Sequence, residues 1–185
     1  YKELLGVGFS LGGNVLLKYL GEQGDSSKLK KAVGVSVPVD LKSSALHLEK
    51  GFNRIYLNRF LKNLKIKVEQ KQSDFPDAID YVKTLNSVNF REFDEHCTAP
   101  IHGYEGAFDY WEKCSSKPLI PNIKTNTVII NALNDPFLTP ECFPFDETNS
   151  NDFVNLLTPK HGGHVGFPKV VKGLNYYESV IVKFF

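Results

Sequence analysis

Near the start of the chain, Gly8-Phe9-Ser10-Leu11-Gly12 sets a serine between glycines two residues away on either side. The apolar run Leu4 to Phe9 precedes it, and Val15, Leu16, Tyr19 and Leu20 follow at helical spacing. A serine at such a strand-to-helix junction adopts a strained backbone and projects its hydroxyl above the sheet edge. Small residues on both sides let strand and helix pass close to the turn. The Leu11 amide would then lie at a helix N-terminus, where the dipole favours an oxyanion. The plainer reading is a glycine-rich turn in which Ser10 only caps the helix.

A serine hydroxyl needs a base to act as a nucleophile. The histidines are His47, His96, His102, His161 and His164. The last two lie in the glycine-rich stretch His161-Gly162-Gly163-His164-Val165-Gly166-Phe167, after the last strand pattern. His164 is the preferred base, because glycines on both sides let the loop turn back over a sheet. His161 competes with it, and either could be a surface or supporting histidine. The acid that would orient the base is Asp135, in Asn131-Ala132-Leu133-Asn134-Asp135-Pro136-Phe137, just past the strand pattern Asn126 to Ala132. Alone, Asp135 reads as an ordinary Asp-Pro turn residue. The order Ser10, Asp135, His164 is the one in which an elbow serine is followed by its acid and then its base.

Other chemistries find less support. His161 and His164 at i, i+3 have no nearby cysteine or carboxylate to complete a metal site. Gly6-Val7-Gly8 lacks the third glycine of a dinucleotide fingerprint. No cofactor is expected. Asp94 and Glu95 beside Arg91 read as a structural ion pair rather than an acid/base couple. His102 reads as a helix-start or loop residue.

The elements that would position these groups alternate in kind. Strand, helix and strand over Leu4 to Phe9, Leu11 to Glu22 and Ala32 to Val39 imply a parallel βαβ unit. Strands resume at Asn126 to Ala132 and Phe153 to Thr158, and an amphipathic helix closes the chain from Gly173 to Phe185. Between residues 41 and about 121 the pattern is helical, at Ser44 to Lys50, Asn53 to Leu64, Asp77 to Leu85 and Gly106 to Cys114. This is an α/β class with a helical insertion of the kind that forms a lid. The basic stretch Arg54 to Lys71 reads as an amphipathic lid helix with a solvated face. Attraction to anionic lipid is its sharper reading, possible but not expected.

Length and composition bound the rest. The 185 residues suit one domain, and 22 basic against 21 acidic residues argue against nucleic acid as a partner. Cys97, Cys114 and Cys142 form no metal or disulfide pattern and read as reduced thiols of a cytoplasmic protein. No run approaches the ~20 apolar residues that span a bilayer. The chain contains no methionine and opens almost directly on a buried-strand pattern. It is therefore expected to be the C-terminal part of a single domain whose early strands are missing.

Taken together, Gly8-Phe9-Ser10-Leu11-Gly12-Gly13-Asn14, Gly51-Phe52-Asn53-Arg54, Arg91-Glu92-Phe93-Asp94, Thr98-Ala99-Pro100-Ile101-His102-Gly103, the Asp135 segment and the His164 segment resemble the YheT / EMB8-like branch of the α/β-hydrolases. The resemblance runs from end to end. It implies a mostly parallel sheet flanked by helices and a hydrolase of carboxylic esters with lipase and alcohol acyltransferase relatives. It places the triad on Ser10, Asp135 and His164. It also implies that the early strands and the loop giving the second oxyanion donor lie upstream, so that residues 1–185 alone would be weakly active and marginally folded. The insert resembles bacterial members, which implies a cytoplasmic protein, whereas eukaryotic relatives can carry an N-terminal membrane anchor. The expected substrate is a short- or medium-chain or lipid-like ester. An alcohol acyltransferase on the same residues and a non-catalytic binding module are the alternatives.

Overall fold

A computed structural model describes residues 2–168 and 173–185. The chain divides into two compact units, Tyr1–Asp40 with Ser115–Phe185, and Leu41–Cys114. In chain order the strands are β1 Leu5–Phe9, β2 Lys31–Val35, β3 Asn126–Ile130 and β4 Val154–Leu157. The α-helices are α1 Leu11–Gln23, α2 Leu41–Leu48, α3 Arg54–Lys71, α4 Tyr81–Asn86, α5 Phe90–Phe93, α6 Ala99–His102, α7 Ala107–Cys114, α8 Phe145–Asn149 and α9 Tyr176–Phe184.

In the first unit the strands form one parallel sheet in the order β1-β2-β3-β4. Registers such as Val33 opposite Val7 and Val128 bring the strands' carboxyl ends to a common edge. Side chains alternate between faces, and both faces are covered. Ala32 and Ile129 pack with Leu17 and Leu20 of α1 on one side. Val33, Val35, Val128 and Ile130 pack with Val180 and Ile181 of α9 on the other. That double burial explains why β2 and β3 read as unbroken apolar runs.

The second expected strand ends early, for a reason that lies in its neighbour. The sequence pattern carries the second strand to Val39, yet β2 stops at Val35 and Ser36 turns to φ 53°. Asn131, just past β3, then takes over from the ladder. Its Oδ1 accepts from the Val37 amide at 2.7 Å, and its Nδ2 donates to the Val37 carbonyl at 3.0 Å and the Cys142 carbonyl at 2.9 Å. A buried side-chain amide thus satisfies backbone groups that a longer strand would pair.

The second unit is helical, with cores built on Leu41, Ala45, Ala107 and Trp111, and on Leu57, Leu61, Phe93 and Cys97. Helix α3 runs to Lys71, seven residues beyond its expected end. Residues 90–102 form a continuous helical stretch absent from the sequence reading, with a π-helical turn at Asp94–Thr98 between α5 and α6. Asp94 and Glu95 do not make the expected ion pair with Arg91. The Asp94 carboxylate points inward and accepts from Trp111 Nε1 at 2.8 Å and from the Thr98 hydroxyl at 2.6 Å. Glu95 accepts from the Ala107 amide at 2.8 Å. His102 ends α6 instead of starting a helix, with Gly103 in the left-handed conformation behind it. Residues 115–121, which the sequence pattern groups with the insertion, belong to the first unit. Ile120 and Ile123 sit in its core, and Asn14 Oδ1 accepts from the Ser116 amide at 2.9 Å.

Candidate active site

Ser10 stands between β1 and α1 with φ 49° and ψ −125°, a conformation an L-residue rarely adopts. The turn is pinned at both ends. Its amide donates to the Val35 carbonyl at 2.8 Å, continuing the ladder to β2, while its carbonyl accepts from Gly13 and Asn14 at 2.9 and 3.2 Å. The crossing is tight at Gly8 and Gly13. A Cβ on Gly8 would come within 2.6 Å of the Gly12 carbonyl, and one on Gly13 within 2.6 Å of Val37. Gly12, expected to be the second tight position, has open space where a Cβ would go. The five-residue motif therefore misplaces the contact by one residue: α1 meets the neighbouring chain through Gly13. Leu11 is the first residue of α1, so its amide is among those with no acceptor inside the helix.

Asp135 and His164 come to this turn from the ends of β3 and β4. Nδ1 of His164 lies 2.9 Å and 3.1 Å from the two oxygens of Asp135, and Nε2 lies 2.9 Å from the Ser10 hydroxyl. An ionised carboxylate only accepts, so Nδ1 carries the proton and Nε2 accepts from Ser10. The Asp135 side chain is fully buried and that of His164 is 15% exposed. Asp135 also accepts from the Phe137 amide at 2.9 Å, and the Phe137 ring lies 4.2 Å, centroid to centroid, from the imidazole. Of the two histidines left open by spacing, His164 is the one that reaches both Ser10 and Asp135. His161 is exposed. Among the described residues, no group of His, Cys, Asp or Glu could hold a metal ion.

Two supporting residues escaped the sequence reading. Asn134 Oδ1 accepts from the Gly162 and Gly163 amides at 2.8 and 3.0 Å. Ser36 Oγ accepts from the Val165 amide at 2.9 Å, where Val165 turns to φ 64°. The histidine loop is thus tied to the end of β3 on one side of His164 and to the end of β2 on the other. Asn134 stands next to Asp135 and could have been suspected. Ser36 lies 129 residues from its partner, with no local signal. Gly162 contributes by fit: a Cβ there would come within 2.5 Å of the Phe167 ring.

Comparison with known proteins adds to this geometry. The family of the alpha/beta hydrolase fold matches residues 2–168. The chain belongs to the α/β-hydrolase family. Its place is in the YheT/EMB8-like branch. YheT of Escherichia coli (strain K12), which carries an esterase name, is 40% identical over 87% of this chain and 48% of its own length. A monoacylglycerol lipase of Saccharomyces cerevisiae is 34% identical over 96% of this chain and 41% of its own. This α/β-hydrolase chain therefore spans less than half the length of those relatives. An esterase structure from Pyrococcus furiosus aligns with TM-score 0.55 at 14% identity, covering 99% of this chain and 53% of that one, a likeness of fold.

Proposed function

We propose that the protein is a serine hydrolase of carboxylic esters, working through an acyl-enzyme. The Ser10 hydroxyl attacks the ester carbonyl carbon while His164 Nε2 takes its proton. Negative charge builds on the carbonyl oxygen, and the Leu11 amide donates to it at the start of α1. As the tetrahedral species collapses, the bond to the alkoxy group breaks and His164 returns the proton to the leaving alcohol. Water then attacks the acyl carbon, gives its proton to His164, and the carboxylic acid leaves as Ser10 Oγ regains a proton. Asp135 holds the imidazole in the tautomer this requires and stabilises its charged form.

The observation that carries this reading is the unbroken hydrogen-bonded line from Asp135 through His164 to Ser10. The lipase and esterase names among the relatives support esters, lipid-like ones included, as the substrate class. One hydrolase domain interrupted by the helical insertion belongs to this reading, as does a cytoplasmic setting in keeping with Cys97, Cys114 and Cys142 forming no disulfide among the described residues. A fluorophosphonate probe tests the chemistry: the wild-type protein is expected to be labelled and Ser10→Ala not. Labelling that persists in Ser10→Ala, or none in the wild type, overturns it. Hydrolysis of p-nitrophenyl esters of increasing chain length then reads the acyl preference.

A further inference from the structure

Helix α3 presents two opposite stripes. Leu57, Leu61, Leu64 and Val68 face inward, with Leu57 and Leu61 buried in the unit's core. On the far side, Ile55, Arg59, Lys62 and Ile66 repeat at i, i+4, i+7 and i+11, a straight line along the axis. All four are exposed, Ile55 by 67%, and Phe52 one turn ahead is 89% exposed. Lys65 and Lys67 stand on the two sides of the helix, about 90–110° round from this line, and Arg54 lies one turn before Leu57, toward the inward stripe. Six basic residues against the single acid Glu69 give α3 a net charge of +5, in a chain whose total is +1. Among the described residues, none of Arg54, Arg59, Lys62, Lys65 and Lys67 takes part in an ion pair.

A helix built only to be solvated has no use for Phe52, Ile55 and Ile66 on its outward side. Water around those side chains is unfavourable by the area they expose. Unpaired cations beside them make the same face attractive to negative charge. We infer that the outward face of α3, with Phe52 at its head, docks on the surface of an anionic membrane. A bilayer answers both features together. Its phosphates lie in the plane that Arg59 and Lys62 would meet, with Lys65 and Lys67 reaching in from the sides, and the acyl boundary a few ångströms deeper takes Phe52, Ile55 and Ile66. The line is about 17 Å long by helix rise and straight, which suits a flat partner better than a cleft. This inference goes beyond the hydrolytic reading and stands independently of what Ser10 does.

The test is sedimentation of the whole protein with vesicles of phosphatidylcholine alone and of phosphatidylcholine with phosphatidylglycerol. Binding is expected only to the anionic vesicles and should weaken steeply between about 0.05 and 0.5 M salt, as screening shortens the range of the charges. Arg59→Glu with Lys62→Glu should weaken it by at least roughly tenfold. Phe52→Ser with Ile55→Ser should weaken it too, while leaving the charge unchanged. All of these positions are exposed, so the thermal transition and probe labelling of Ser10 should match the wild type. Should a double variant not fold, the single change Ile55→Ser carries the test. Equal binding to neutral vesicles, no binding to either, or unchanged binding by the charge-reversed variant overturns the inference. So does a concentration-dependent dimer that forms without lipid and is lost in Phe52→Ser, which would assign the face to a second copy of the chain.

Discussion

At the residue scale, the proposed chemistry depends on how firmly His164 is held, and the hydrogen bonds apportion that task unequally. Asp135 sets the tautomer, so Asp135→Asn should lower kcat by roughly 10³–10⁴ while the fold stands, because an amide in that place favours the wrong tautomer. Asn134 never touches the imidazole. It fixes the loop by accepting from two consecutive amides. Asn134→Ala should therefore reduce kcat about tenfold with little change in KM, the sign of a displaced base. Asn134→Asp keeps the acceptor and should recover most of the rate. Its added negative charge favours the imidazolium, so the acid limb of the pH–rate profile should move to higher pH. An Asp variant as slow as Ala, or a profile that stays in place, would rule out this positioning role.

At the element scale, the β1–α1 crossing and the π-helical turn make separate demands. Gly8→Ala should fail to fold or melt far lower, since its Cβ would meet backbone at 2.6 Å. Gly12→Ala should leave the melting temperature unchanged or raise it, gaining up to about 1 kcal/mol from a less flexible unfolded chain. Comparing the two melting curves checks which glycine the motif needs for packing. In the second unit, burial pushes the Asp94 carboxyl above its ordinary value, and hydrogen bonds from Thr98 and Trp111 pull it part of the way back. The folded state therefore keeps this proton to higher pH than the unfolded chain does. The stability linked to it is complete below about pH 4 and is lost as pH rises through the folded value. Asp94→Asn can still accept from Trp111 and has no proton to lose. Its stability relative to wild type should rise between about pH 4 and pH 7, read through Trp111, the chain's one tryptophan. A difference that does not vary with pH would contradict the assignment.

At the scale of the 185-residue chain, β1 is an outer strand of the sheet among the described residues, with Leu5, Val7 and Phe9 each more than 40% exposed. An open, apolar edge strand invites pairing with another chain. The 185-residue polypeptide should accordingly self-associate on warming, and Val7→Lys should suppress the light scattering without changing the far-ultraviolet circular dichroism. No helix among the described residues is long and apolar enough to cross a membrane.

Several of these features could be read from the residues in order. Unbroken apolar runs marked β2 and β3, because strands covered on both faces need apolar side chains at every position. The glycine-flanked serine marked the elbow, and chain order brought Asp135 and His164 forward, since each lies just past a strand and parallel strands gather their carboxyl ends at one edge. Contacts between distant residues left no such trace. Asn131 ending β2, Ser36 tying down Val165 and Gly13 rather than Gly12 making the close approach all depend on partners that local pattern does not name. The stretch from Phe90 to His102 was hidden because its buried Asp94 reads as a surface charge until Trp111 is brought against it. Periodicity reports which side of an element is apolar. Which groups meet there, and at what distance, is set when the chain closes on itself and every buried polar atom has to find a partner.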